Sequence, residues 1–182
     1  MQVRKIIFLL VGVLSLGLCS CGGSDSGGTI TPSTVSVDSD VAKWTGTPCV
    51  TGSTYTVTPD VVNVTLNTFP PPPGSTGVTS EKVVIKSASI VYTPANTNSP
   101  SLPAQFMALT GQMADLGSSV TVPVTVAPQD LKSSPVLNSL GCTNTIYSYY
   151  VTITFNCDYY IANNNPFSVS SQINMRFADF AN

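Results

Sequence analysis

Hydrophobic and polar side chains alternate one by one along two long stretches near the C-terminus, residues 144–157 and 166–180. Successive side chains of a β-strand point to opposite faces of a sheet, so this alternation predicts two strands, each with one apolar and one polar face. The segment NNNP at 163–166 lies between them, and asparagine tolerates the left-handed backbone of tight turns. The two strands are therefore predicted to form a hairpin, whose apolar face the fold must bury.

Similar stretches recur along the chain between turn-forming residues. The candidate strands are 34–38, 54–59, 61–69, 81–93, 105–109, 119–127, 144–157 and 166–180. Their number and spacing predict an all-β fold, a single antiparallel β-sandwich over residues 35–182.

Two segments leave a helix open as an alternative. In residues 104–117 four apolar side chains recur at helical spacing, although Gly111 and the flanking prolines favour a strand and a turn. Residues 128–134 can hold a single helical turn that begins at Pro128. Neither alternative changes the predicted fold class.

The first twenty residues have the composition of a secretory signal peptide. Arg4 and Lys5 form a basic start, and the 13 residues from Ile6 to Leu18 carry no charge. This apolar run is too short to cross a bilayer, which takes about 20 residues. The usual Ala-x-Ala cleavage pattern is absent, because the first alanine of the chain is Ala42.

The stretch Leu18-Cys19-Ser20-Cys21 resembles the lipobox of bacterial lipoproteins, with an aliphatic residue three positions before a cysteine and a small residue directly before it. Cys19 does not fit this pattern, because the residue before it is Leu18. The resemblance implies a signal peptide over 1–20 and lipidation of Cys21, with palmitate-type acyl chains as the membrane anchor. Gly22 follows the cysteine, where an Asp tends to retain lipoproteins of enteric bacteria in the inner membrane. The outer membrane is therefore the expected location, with the domain facing either the periplasm or the outside.

Residues 21–34 are predicted to be the lipidated cysteine and a flexible tether, because they are rich in Gly, Ser and Thr and lack apolar periodicity. The domain that follows this tether also resembles a known family at its C-terminal end. Its last two predicted strands, together with the FADF at 177–180, resemble the end of bacterial immunoglobulin-like domains. The resemblance implies an immunoglobulin-like sandwich but no particular activity, since such folds host many functions.

Charge is scarce, at 9% of residues, and the chain has no histidine. Removal of the leader takes away two of the 7 basic residues and leaves five against 9 acidic ones, a formal charge of −4. The absence of histidine excludes Ser/His/Asp and Cys/His relays and imidazole metal sites. The few scattered basic residues argue against nucleic acid as a partner. We therefore predict a non-enzymatic protein with no catalytic residues, no metal and no cofactor.

Three cysteines follow the predicted anchor: Cys49, Cys142 and Cys157. The last two bracket a long predicted strand, which places them roughly 50 Å apart, whereas a disulfide needs Cα atoms within about 7 Å. Cys157 lies on the apolar face of that strand and is expected to be a small buried residue. By elimination, the predicted disulfide joins Cys49 and Cys142. A metal or redox site is not expected, because no CxxC follows the anchor.

Two features could bind a ligand. Tyr150 points to the polar side of its strand with Thr152 and Thr154, where it could stack on a sugar ring; the alternative is cross-strand packing against Arg176 or a neighbouring aromatic. The doublet Asp38 and Asp40 could hold calcium, and the alternative is a solvated turn. We therefore expect a structural or protein-interaction module of the cell envelope, anchored to the membrane by lipid. The second candidate is a carbohydrate- or polymer-binding module that uses Tyr150.

Overall fold

A computed structural model of the chain describes residues 28–70, 81–160 and 166–180. The predicted signal peptide, Cys21 and the turn of the C-terminal hairpin lie outside these residues. The strands are β1 (Gly28–Pro32), β2 (Ser36–Asp40), β3 (Lys43–Thr45), β4 (Thr54–Thr56), β5 (Asp60–Thr68), β6 (Lys82–Pro94), β7 (Gln105–Asp115), β8 (Ser119–Ala127), β9 (Tyr147–Tyr159) and β10 (Pro166–Ala178). Two helices, α1 (Gln129–Lys132) and α2 (Pro135–Asn138), connect β8 to β9. The all-β prediction is confirmed.

The larger sheet has five strands in the order β2-β10-β9-β6-β7. The predicted hairpin forms its centre, with β9 and β10 antiparallel and Val151 opposite Ile173. Both of these side chains are buried, as the alternation predicts. One detail differs from a purely antiparallel sandwich: β2 runs parallel to β10, with Val37 beside Met175.

The smaller sheet has three strands in the order β1-β5-β8, all antiparallel. The buried faces of the two sheets form a single core. Full burial of such an aliphatic or aromatic side chain contributes about 1.5–3 kcal/mol. Among the most deeply buried core residues are Val64, Leu66, Ile85, Ile90, Val122, Val124, Val151, Ile153, Phe155, Ile173, Met175 and Phe177.

The order of the strands is that of an immunoglobulin-like sandwich. The three-stranded sheet matches strands A, B and E of that fold, and β10-β9-β6-β7 match G, F, C and the additional edge strand C′. The chain crosses between the two sheets after β1 and between β2 and β5, and again after β5, after β7 and after β8, which produces the Greek-key connectivity of that fold.

The structure corrects the predicted start of the domain. Residues 28–32, assigned to the flexible tether, form strand β1 and pair with β5 from Gly28 opposite Thr68 to Pro32 opposite Val64. Ile30 packs against the core. A strand of only five residues with a single large apolar side chain has no detectable periodicity, so its composition resembles that of a linker.

Other element boundaries also differ from the prediction. The predicted strand at 34–38 begins two residues later because the chain crosses from one sheet to the other there, and the strand at 54–59 ends at Thr56. The three-residue strand β3 was not predicted. The helix considered for 104–117 is wrong: this segment is strand β7, and Gly111, at φ 78°, adopts the left-handed conformation where the register with β6 shifts.

The two ends of the sandwich carry different groups, and we call them the entry end and the disulfide end. At the entry end β1 begins at Gly28, and its partner Thr68 donates hydrogen bonds to the backbone carbonyls of Ser118 and Asp115. The backbone N–H of Tyr160 donates to Lys82 at this same end. At the opposite, disulfide end lie β3, β4, both helices and the C-terminal end of β10.

Candidate functional site

The disulfide end is braced by a covalent bond between two loops. Cys49 lies between β3 and β4, Cys142 lies between α2 and β9, and their sulfur atoms form a disulfide with the Cα atoms 5.5 Å apart. This is the pair favoured by elimination from the sequence. Both cysteines have a left-handed backbone, at φ 61° and 63°, which is uncommon outside glycine and asparagine. The bond therefore holds two loops in conformations that they would rarely adopt when free.

A buried carboxylate lies directly beside this disulfide. Asp179 follows β10 and is 6% exposed. Its Oδ2 accepts a hydrogen bond from the indole N–H of Trp44 at 3.0 Å and another from the backbone N–H of Cys142 at 2.8 Å. The same oxygen lies 4.0 Å from Sγ of Cys49. One carboxylate thus links the β3–β4 hairpin, the loop before β9 and the end of β10.

Aromatic packing completes this end. The rings of Trp44 and Tyr55 pack against each other across the β3–β4 hairpin, with centroids 5.1 Å apart and planes inclined at 55°. The Tyr55 hydroxyl donates to Oδ1 of Asn138 in α2 at 2.7 Å. Tyr55 is nevertheless 41% exposed. The side chain of Tyr55 is therefore held at two points, by Trp44 and by Asn138, while part of it stays open to solvent.

Further exposed apolar side chains occur on the loops and helix of the same end. We call this set, together with Tyr55, the disulfide tip: Val50, Val136, Ile146 and Phe180. Sequence reasoning missed Trp44, Tyr55 and Asp179 as members of one site. The only available signal was that Trp44 is the single tryptophan of the chain.

The atoms of Cys49, Cys142 and Asp179 that could ligate a metal ion all lie within 4.8 Å of one another. Cysteine binds metals as a thiolate. Because the two sulfur atoms are bonded to each other, they cannot act as thiolate ligands, and Asp179 already accepts two hydrogen bonds. The oxidised protein therefore uses this cluster to brace its fold.

Tyr150 lies on the outer face of the five-stranded sheet, as its position in the alternation of apolar and polar side chains predicts. It is 46% exposed and stands between Thr93 of β6 and Asn174 of β10. Arg176 is paired in register with Ser148 rather than with Tyr150, and its guanidinium engages Asp38. Tyr150 is thus an exposed ring flanked by one hydroxyl and one amide side chain.

The calcium hypothesis for the acidic doublet is not supported by the geometry. Asp38 accepts two hydrogen bonds from Arg176, each at 2.7 Å, and this partner lowers the pKa of the carboxyl group. Asp40 accepts from the backbone N–H of Ala42 at 3.3 Å. A cation bound here would lie beside the positive guanidinium, so Coulomb repulsion opposes its binding.

Cys157 is the free cysteine among the residues described, and it is buried as predicted. Burial raises the pKa of its thiol to about 12, with a smaller contribution from the negative charge of Asp158. Asp158 itself forms an ion pair with Lys86. Because the thiolate is the reactive form, Cys157 is unreactive in the folded protein at neutral pH.

A scan against protein-family models, a search of curated proteins and a search of solved structures each found no match. In the three ranges that the structure describes, no helix is long and apolar enough to cross a membrane.

Proposed function

We propose that this protein is a non-enzymatic lipoprotein of the bacterial outer membrane, anchored through Cys21, and that its sandwich is a structural or protein-interaction module of the cell envelope. The observation that carries the interaction part is the disulfide tip. It presents exposed apolar and aromatic side chains on a scaffold that a disulfide, a buried carboxylate and a ring contact hold in place.

A fixed tip favours binding for an energetic reason. Ordering a mobile side chain at an interface costs about 0.5–1.5 kcal/mol, and a side chain held before binding avoids most of that cost. Tyrosine is among the residues enriched in the energetically important centres of interfaces. Tyr55 meets both conditions, because it is partly exposed and is held by Trp44 and Asn138. The partner that fits this surface is an envelope protein with an apolar pocket.

Site-specific photocrosslinking in intact cells tests the interaction. A photoreactive amino acid replaces Val50, which is exposed at the tip, and the matched control places it at Thr121, which is exposed on the three-stranded sheet. We expect a discrete crosslinked species from position 50 that Tyr55→Ala weakens by about tenfold, the effect of losing one interface centre. Equal products from both positions, or none from position 50, would contradict the proposal.

The anchor is tested separately by acyl incorporation. Cys21→Ser is expected to abolish incorporation of labelled fatty acid and to release or stall the protein. Cys19→Ser is the matched control and is expected to leave both unchanged. If Cys19→Ser removed the label and Cys21→Ser did not, the assignment of the anchor would be wrong.

Carbohydrate or polymer binding is the second candidate function, and the exposure of Tyr150 favours it. Its ring lies between Thr93 and Asn174 on a face with further hydroxyl and amide side chains, including Thr152 and Gln172. Such groups can donate and accept the hydrogen bonds that orient a sugar, while the ring stacks on its apolar face.

A glycan array separates the two candidates. Binding that Tyr150→Ala removes and Tyr55→Ala leaves intact would support the glycan module. Binding to no glycan, together with the tip-specific crosslink, would support the protein-interaction module. Both substitutions change exposed side chains, so both variants are expected to fold.

A further inference from the structure

The start of β1 limits how far the domain can lie from its proposed anchor; this argument rests on the lipidation of Cys21 proposed above. Seven residue steps separate Cys21 from Gly28, the first residue of β1. A fully extended chain of that length spans at most about 25 Å, and a flexible one has a root-mean-square reach of roughly 15 Å. A tether ending at residue 34 would have allowed a longer reach.

The end of the sandwich that carries Gly28 also carries two exposed aromatic residues. Phe69 follows β5 and is 48% exposed, and Tyr160 follows β9 and is 61% exposed. Both lie at the entry end, since Thr68 hydrogen-bonds to Asp115 and the backbone N–H of Tyr160 donates to Lys82. Tyrosine is enriched at the interface between water and the bilayer, and phenylalanine is among the residues that interfacial segments bury in the headgroup region.

Two exposed charges at the entry end pair with each other. Lys82 and Asp115 form an ion pair of 3.2 Å across β6 and β7. The positive and the negative charge of this pair cancel, so the pair provides no strong electrostatic attraction to anionic lipid. Contact with a membrane at this end would therefore depend on the aromatic rings and would be insensitive to salt.

We propose that the entry end rests on the membrane that holds the acyl chains, with Phe69 and Tyr160 in the headgroup region. The short tether keeps this end at a high local concentration beside the bilayer, so that even weak contacts by two rings suffice. The disulfide tip then faces away from the bilayer. Strand β5 has nine residues, which places the tip roughly 30 Å farther from the membrane.

Tryptophan quenching by brominated lipid tests this orientation. The full-length protein is purified in its processed form, and acylation of Cys21 is measured by mass. It is then inserted into phosphatidylcholine vesicles whose acyl chains are brominated near the headgroup. The native protein reports on the disulfide end through its single Trp44. The variants Phe69→Trp and Tyr160→Trp each add a second indole at the entry end and keep Trp44.

We expect brominated lipid to leave the emission of the native protein unchanged and to lower that of each variant by about a third, because the added indole lies within the outer 5–10 Å of the bilayer. The decrease is expected to persist at high salt. Two variants at separate exposed positions keep the test valid if one of them folds poorly.

The possible outcomes distinguish a failure of the proposed anchor from a failure of the proposed orientation. Processed protein without acyl chains would overturn the anchor and this orientation together. Acylated protein in which native Trp44 is quenched as strongly as the added indoles would overturn the orientation alone and leave the anchor standing. Acylated protein without quenching in any variant would mean that the domain stays clear of the membrane, and would also overturn the orientation.

Discussion

At the scale of single residues, Asp179 connects three parts of the disulfide end: the β3–β4 hairpin, the loop before β9 and the end of β10. Its Oδ2 accepts from the indole N–H of Trp44 in β3 and from the backbone N–H of Cys142 in the loop before β9. Hydrogen bonds to a charged group contribute about 1.5–3 kcal/mol, and a buried donor left without a partner is costly. Asp179 therefore stabilises the position of the hairpin that carries Tyr55.

Replacing this carboxylate should loosen the disulfide end. We expect Asp179→Ala to lower the free energy of unfolding by about 2–4 kcal/mol, because two partly buried N–H groups lose their acceptor. Asp179→Asn retains a carbonyl oxygen and should cost only about 1 kcal/mol. Urea unfolding followed by the fluorescence of Trp44 measures both. Equal effects of the two substitutions would show that the hydrogen bonds do not hold this end.

Two buried tyrosines make the free energy of unfolding depend on pH in the alkaline range. Burial raises the pKa of Tyr92, with a further contribution from the negative charge of Asp130, and burial also raises the pKa of Tyr149. The Tyr92 hydroxyl donates to the carbonyl of Val126 at 2.6 Å. A group whose pKa is raised by folding contributes stability that is complete below its unfolded pKa of about 10 and is lost as the pH rises toward the folded value.

Tyr92→Phe tests this linkage. At pH 7 we expect a loss of about 1–2 kcal/mol, because the carbonyl of Val126 loses its donor. Above about pH 10 the native protein should lose stability faster than the variant, because the variant has one fewer tyrosine that ionises only after unfolding. Urea midpoints measured across this pH range give the comparison. A constant difference between the two proteins would contradict the expected linkage.

At the scale of elements, the β3–β4 hairpin depends on its attachments. Its two strands have three residues each, and an isolated two-stranded hairpin is at best marginally stable in water. The disulfide joins its loop to the segment before β9 across a sequence separation of 93 residues. The hairpin is therefore held by its tertiary contacts, and the tip owes its shape to them.

Removing the disulfide should affect stability and the tip together. We expect Cys49→Ser combined with Cys142→Ser to lower the free energy of unfolding by about 2–5 kcal/mol, since closure of a long loop no longer restricts the unfolded chain. Cys157→Ala is the matched control, because it removes a cysteine that forms no disulfide. The double variant should also lose the tip-specific crosslink, whereas the control should retain it. Retention of full stability by the double variant would contradict a structural role of the bond.

At the scale of the whole molecule, the N-terminal segment connects the two sheets. Strand β1 extends the three-stranded sheet beside β5, and β2, four residues later, extends the five-stranded sheet beside β10. The edge of each sheet is thereby covered by the same short piece of chain. Loss of β1 would expose the backbone of β5 and the core surface that Ile30 covers.

Two shortened chains test whether the domain begins at β1. A chain that starts at Gly28 is expected to unfold at the same urea concentration as the mature protein. A chain that starts at Val35 should lose about 2 kcal/mol or more, from the burial of Ile30 and the backbone pairing with β5. Equal stability of the two chains would show that residues 28–32 belong to the tether and not to the folded domain. The tether would then be longer, and it would no longer hold the entry end close to the membrane as the proposed orientation requires.

The sequence was most informative where a strand is long and half buried. In β9 and β10 every second side chain had to be apolar to reach the core, and this period identified both strands, their hairpin and the faces of Tyr150 and Cys157. The short strands β1 and β3 lack enough residues to show a period. Their pairing comes from backbone hydrogen bonds, which carry almost no residue signature.

By itself, the sequence determined the fold class, the buried faces of the long strands and the pairing of Cys49 with Cys142, because local periodicity and the reach of a strand are set by nearby residues. Only the tertiary structure decided that Asp179 meets Trp44, its partner 135 positions away, and that the chain enters the sandwich opposite the disulfide tip. In sequence, Asp179 does not differ from the other acidic residues of the chain. Its role arises when the closing of two sheets brings distant loops to the same end.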